Sequence, residues 1–314
     1  MANRYPLLYR TIQIIAVIIA LMGFLFPDLL FQWELILAVL FISLIGIPHG
    51  ATDHLIFRNL AKPFLGARKM VYFYIYYLLL IGVYALLWWK LPVVSFFLFL
   101  LLSAYHFGQS NWNYVPFNSK ILGSIYYFLW GAYVIVSPVV FNYDNTQPII
   151  QDIVRQSPPD IALGWRWGMV IGLFAANLLL AFGLVLSKRL GVRAFFEEIL
   201  NLVILGAVFY LTPVLLGFAV YFVLWHSLSS VMDQVKFFRE RKAVYSIGKY
   251  VKDTLPFTLL ALVGMAAMFW MQFEFMGTIE IGLLFIFISI VTLPHMILID
   301  QLYNDVHEKM YIHN

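Results

Sequence analysis

The strongest constraint on this chain is the near absence of charge from ten long apolar stretches, at about 11–26, 31–49, 71–89, 91–107, 121–141, 164–186, 195–213, 214–235, 253–273 and 277–303. Crossing the hydrocarbon core of a bilayer takes roughly 17–25 mainly apolar residues as a helix. Within that core every backbone N–H and C=O has to be satisfied internally, which leaves helices and closed barrels as the only spanning structures. Of 314 residues 63% are hydrophobic and 11% charged, where soluble domains carry about 25% charged residues. The sequence predicts an all-α, polytopic transmembrane helix bundle of about ten spans, read as a single integral-membrane domain over 1–314. Eight or nine spans are the alternative counts, because the first run is short and only the turn around Pro213 separates the seventh from the eighth.

The basic residues give this bundle a direction. With ten spans, 17 of the 20 Lys and Arg fall in the two termini and the loops after even-numbered spans, and 3 on the other side. Basic loops stay in the cytoplasm, so both termini are expected to be cytoplasmic and the protein to sit in the cell (inner) membrane. The net charge of +4 is spread over loops rather than gathered into an arm, which argues for membrane orientation and against nucleic-acid binding. No small-residue cleavage site follows the first apolar run, so no cleavable signal is expected. The longest polar stretches, about 142–163 and 236–252, are too short for a soluble domain. Chemistry must come from side chains that project into the bundle.

The chain has no cysteine, which excludes disulfides and thiolate metal sites. Of its seven histidines, His307 and His313 lie in the polar tail, and His49, His54, His106, His226 and His295 lie in or just past even-numbered spans. His49, His106, His226 and His295 fall at one depth on four helices, roughly 18–27 Å from the outer face at the helical rise of 1.5 Å per residue. A single such histidine is most often interfacial or satisfied by a carbonyl. Four at one depth point inward, because ionisable residues within spans usually face the bundle interior or a water-filled cavity. All-nitrogen imidazole sites suit non-haem iron among other metals. A proton pathway and unconnected structural histidines are the competing readings.

Carboxylates accompany the histidines. Asp53 follows His49 by four residues, which puts both on one face if the helix continues past Gly50. Asp233 and Asp300 follow His226 and His295. Metal-bound histidines usually donate their other ring N–H to a carboxylate or carbonyl, so these aspartates are candidates to orient ligands; ordinary polar residues at helix ends are the alternative. Pro48 and Pro294 each precede a histidine, and proline breaks a helix and frees a carbonyl. Gly50 and Gly108 let another backbone or a flat ligand come close. Tyr105, Phe107, Trp112 and Trp225 flank the histidines and are candidates for an apolar substrate pocket, with bundle packing as the bland reading.

Four segments, "IPHGATDHL" (47–55), "SAYHFGQSNW" (103–112), "WHSLSSVMDQ" (225–234) and "TLPHMILID" (292–300), together resemble the Brp/Blh family of membrane β-carotene-cleaving oxygenases. The resemblance implies an Fe(2+)-dependent dioxygenase that uses O2 to cut lipid-dissolved β-carotene at its central 15,15′ double bond, giving retinal for a partner such as a microbial rhodopsin. It implies that His49, His106 and His226 hold iron. The family pattern has a further histidine one turn after the Trp-His pair, where this sequence has Ser230. His295 is the candidate replacement and His54 the second choice, since His54 points about 140° from His49 on a continuous helix.

Three other readings stay open. The HxxxH and HxxHH boxes of membrane desaturases and hydroxylases are absent from the sequence, which counts against a different histidine-iron oxygenase. A proton-coupled transporter would use the His and Asp residues as relay groups, but no paired half-helix repeat is visible. A carotenoid- or retinal-binding protein without cleavage activity is the third reading, kept by Ser230.

Overall fold

The computed structural model describes residues 6–60, 66, 68–117, 119–241 and 244–312. Described residues form helices and turns with no strand. In chain order the helices are α1 (Pro6–Leu25), α2 (Pro27–Phe41), a π-helical turn π1 (Ile42–Gly46), α3 (Ile47–Gly50), α4 (Asp53–Leu60), α5 (Lys69–Lys90), α6 (Pro92–Trp112), α7 (Lys120–Phe141) and α8 (Tyr143–Val154). They continue with α9 (Leu163–Leu186), α10 (Val192–Leu211), α11 (Val214–Val220), a second π segment π2 (Tyr221–Ser227), α12 (Leu228–Arg241), α13 (Ile247–Met276) and α14 (Ile281–Ile312). Taking Pro27–Leu60 and Val214–Arg241 as one crossing each, ten segments among the described residues are long and apolar enough to span a membrane. The fold class and the count of about ten therefore stand, and the run around Pro213 is two spans.

Local chemistry sets the breaks. Pro27 and Pro92 open α2 and α6, positions where the missing N–H costs nothing and φ is already helical. The Ser246 hydroxyl accepts from the Lys249 N–H to cap α13, and Gly277 closes that helix at φ 70°, a conformation that favours glycine.

The chain clusters into two compact units, each drawn from three stretches. The first comprises Met1–Ile42, Leu100–Pro148 and Pro158–Ser229. In it α7 packs on α9 and α10, α1 on α10, and α2 on α11. The later half of α6 meets α7 where side chains are small: a Cβ at Gly108 would run into the Tyr127 carbonyl, and one at Gly131 into that of Ala104. Small residues let membrane helices approach this closely, and here they fix the stretch of α6 that carries His106. Gly108 thus admits another backbone rather than a ligand. Trp112, Trp130, Phe209 and Tyr221 fill the core.

The second unit comprises Ser43–Phe99, Ile149–Ser157 and Ser230–Asn314. Its α14 packs on α5 and α4, and α13 on α3. Ile56, Phe238, Tyr250 and Ile299 anchor one end of its core, while Trp88, Phe96 and Phe99 surround Phe285.

Candidate active site

In the second unit the break at Pro48 organises the chain. Proline cannot donate to the helix ladder, and the backbone runs through π1, a single turn of α3 and a turn at Ala51–Thr52 before α4 begins. Three carbonyls along this path have donors. That of Gly46 accepts from His49 Nδ1. The Pro48 carbonyl accepts from the Ala51 N–H. Gln234 Nε2 donates to the His49 carbonyl at 3.0 Å and to Ser230 Oγ at 3.1 Å. Its Oε1 accepts from Thr52 at 2.6 Å and Tyr250 at 2.9 Å. A buried amide with its donors and acceptor all engaged is a rigid hub.

His295, which follows Pro294 in α14, brings its ring to 4.9 Å from that of His49, at 88°. Both histidines are buried. His295 Nδ1 donates to Asp53 Oδ1 at 2.8 Å, and Asp53 Oδ2 accepts from the Tyr77 hydroxyl at 2.9 Å. Asp53 therefore hydrogen-bonds His295 and not His49. The four-residue spacing failed as a guide because the turn at Ala51–Thr52 interrupts the helix and swings Asp53 toward α14. His54 packs its ring against Phe257 at 4.4 Å and stays a neighbour of this pair.

The first unit holds the other pair. His106 on α6 and His226 in π2 have rings 4.9 Å apart at 68°, and both are buried. Rings surround them. Phe107 lies 4.9 Å from His226, Phe222 stacks on His226 at 5.5 Å and 24°, and Phe218 stacks on Phe222 at 6.0 Å. Ser229 Oγ donates to the His226 carbonyl at 2.9 Å. Of the aromatic pocket candidates, Phe107 is in contact with His226, Tyr105 packs against Tyr127, and Trp112 and Trp225 are core residues, each 2% exposed. Among the carboxylates, Asp300 accepts from Asn304 one turn on and Asp233 sits half-buried on α12.

The donor set fits a metal that prefers nitrogen. With Nδ1 of His49 and of His295 donating to a carbonyl and a carboxylate, the ring lone pair lies on Nε2, the arrangement metal-bound histidines adopt. Among the described residues no three or more His, Asp or Glu side chains gather at metal-binding spacing; each unit holds one pair of imidazoles.

The profile of the beta-carotene 15,15′-dioxygenase family matches residues 40–303, a stretch that contains all four histidines. The chain belongs to that family. Among its curated members, the beta-carotene 15,15′-dioxygenase of an uncultured marine bacterium (66A03) is 26% identical over 295 residues, covering 91% of this chain and 99% of the relative. The probable beta-carotene 15,15′-dioxygenase Blh of Halobacterium salinarum is 22% identical over 273 residues, covering 80% and 79%. No solved structure matches the chain. Membership in a dioxygenase family makes this an enzyme.

Gln234, Tyr77 and Phe222 were not singled out from the sequence. Gln234 ends the segment "WHSLSSVMDQ", and a polar residue eight positions past His226 was a signal available to reading. Tyr77 was hidden in an aromatic run that reads as lipid-facing. A further buried carboxylate, Glu198 on α10, accepts from Asn111 at 3.2 Å and Tyr114 at 3.1 Å; its signal in the sequence is a charge within an apolar run.

Proposed function

We propose that this enzyme cleaves β-carotene with O2 at the central 15,15′ double bond, in the cell membrane and with both termini cytoplasmic, using Fe(2+) held by His49, His106, His226 and His295. In the overall reaction one C=C bond breaks and each oxygen atom of O2 ends in one retinal aldehyde. The observation that carries this reading is that the family match includes two buried histidine pairs, each with rings 4.9 Å apart. The iron would supply the activation of O2. The protein's part is to bind a hydrocarbon with no polar handle, by apolar and aromatic contact of the kind Phe107 and Phe222 offer, and to hold its midpoint at the reacting position. Burial of the four imidazoles keeps bulk water from them, and a site within the bilayer gives a lipid-dissolved substrate direct access. The retinal released would serve a retinal-binding partner such as a rhodopsin.

Expression in cells that accumulate β-carotene tests the proposal. Loss of carotene with stoichiometric appearance of retinal is the expected result; carotene that persists with the protein in the membrane and iron supplied would sink it. Ser230 favours a second reading, because it stands where the resemblance calls for a histidine and its hydroxyl is engaged by Gln234. On that reading the protein binds carotenoid without cutting it, and intact carotene co-purifies with the protein.

A further inference from the structure

We propose that Asp53, steadied by Tyr77, is the positioning residue that presents His295 to the metal through Nε2. This inference rests on the iron reading above and adds the device that makes His295 a ligand in a chain whose position 230 is serine. A carboxylate buried to 4% exposure within a spanning segment is costly unless each oxygen has a donor. Both oxygens of Asp53 have one, from residues on two other helices: His295 Nδ1 on α14 at 2.8 Å and the Tyr77 hydroxyl on α5 at 2.9 Å.

The competing explanation is that Asp53 merely caps α4, where it is the first residue. The hydrogen bonds go elsewhere. The Leu55 and Ile56 N–H groups at the start of α4 donate to the Thr52 carbonyl, and the carboxylate is turned to α14 and α5. The geometry is that of a ligand-orienting carboxylate. It fixes the Nδ1–H tautomer, locks the ring plane and strengthens the opposite nitrogen as a donor to a cation. Tyr77 in turn holds the second oxygen and with it the carboxylate rotamer. The lone pair of His295 is thereby assigned to Nε2, the same nitrogen as in His49, whose ring lies 4.9 Å away.

The test uses the purified full-length protein with Co(II) as a spectroscopic stand-in for iron, its affinity read by competition with a chelator and its ligand field by visible absorption. Asp53→Ala is expected to weaken Co(II) binding by about 10–100-fold and to shift the absorption band. Asp53→Asn keeps the shape and an oxygen acceptor for His295 while removing the charge, so it should fold like wild type and still bind Co(II) less tightly. Tyr77→Phe, which removes only the second donor, should fall between wild type and Asp53→Ala. If His295→Ala loses Co(II) affinity while both Asp53 variants keep the wild-type affinity and spectrum, the positioning role is wrong and His295 remains a ligand. If His295→Ala itself binds Co(II) as wild type does, the ligand assignment fails and this inference with it.

Discussion

The two histidine pairs have the same ring separation, but different forces hold them. His49 and His295 are fixed by directional hydrogen bonds, through Gly46 and Asp53 at the rings and through Gln234 at the backbone. His106 and His226 sit among rings, with Phe107 and Phe222 against His226 and a close α6–α7 crossing behind. One pair is thus sensitive to the loss of a charge or an acceptor at constant shape, the other to the loss of volume. A membrane interior supports both solutions, because a satisfied polar network and a dense apolar packing each leave the imidazole a single orientation.

The largest effect is expected from the imidazoles themselves. Iron should bind at one ion per chain, and either His49→Ala or His106→Ala should remove most of it, by metal analysis of purified protein. Loss from one variant only would show that the pairs do not serve the same ion. Next comes Phe107→Ala, which should lower stability by about 3–5 kcal/mol as a buried ring is removed. Thermal unfolding in detergent reads this, and a negligible shift would mean that ring packing does not hold the His106–His226 pair. Gln234→Leu keeps the size and removes the hub, leaving buried hydroxyls and the His49 carbonyl short of partners. It should cost about 1–3 kcal/mol and disturb the Co(II) spectrum, which Phe107→Leu should alter less.

The smallest effect belongs outside both pairs. A hydrogen bond from Arg166 at 2.7 Å holds the exposed Asp144 carboxyl below its ordinary range. Its folded-state pKa is the lower one, so its contribution is present above the unfolded value of about 3.9 and lost as pH falls through the folded value. Asp144→Asn should therefore leave the unfolding temperature almost unchanged at neutral pH and abolish even that difference in acid; a large shift at neutral pH would contradict the ranking.

Much of this was legible in the sequence, and what was not has a common cause. The ten spans follow from a solvent that offers the backbone no partners, so each had to appear as a long apolar run. The four histidines stood out because a titratable group at membrane depth is rare. Asp53 was legible as an orienting residue, but its partner was not, since helical spacing assumed a backbone that Pro48 and the turn at Ala51–Thr52 break. Tyr77 illustrates the deeper limit. Eight aromatic residues along a spanning helix look alike in sequence, and it is the arrival of Asp53 beside its hydroxyl that distinguishes Tyr77. Trp225, next to His226 in sequence, and Trp112, six residues past His106, are both core residues.

The π segments carry a last consequence. A π turn is an α-helix holding one residue more than its pitch requires, and one lies just upstream of His49 while the other contains His226. Removing a single residue from either would let the π turn close into an α turn with the helix beyond it still facing the same way, so the change would fall on the turn beside His49 or on the one that holds His226. A deletion within 42–46 or 221–227 should therefore disturb the neighbouring histidine even where every other side chain is kept. In these two short stretches residue number, more than residue type, is what the enzyme has to keep.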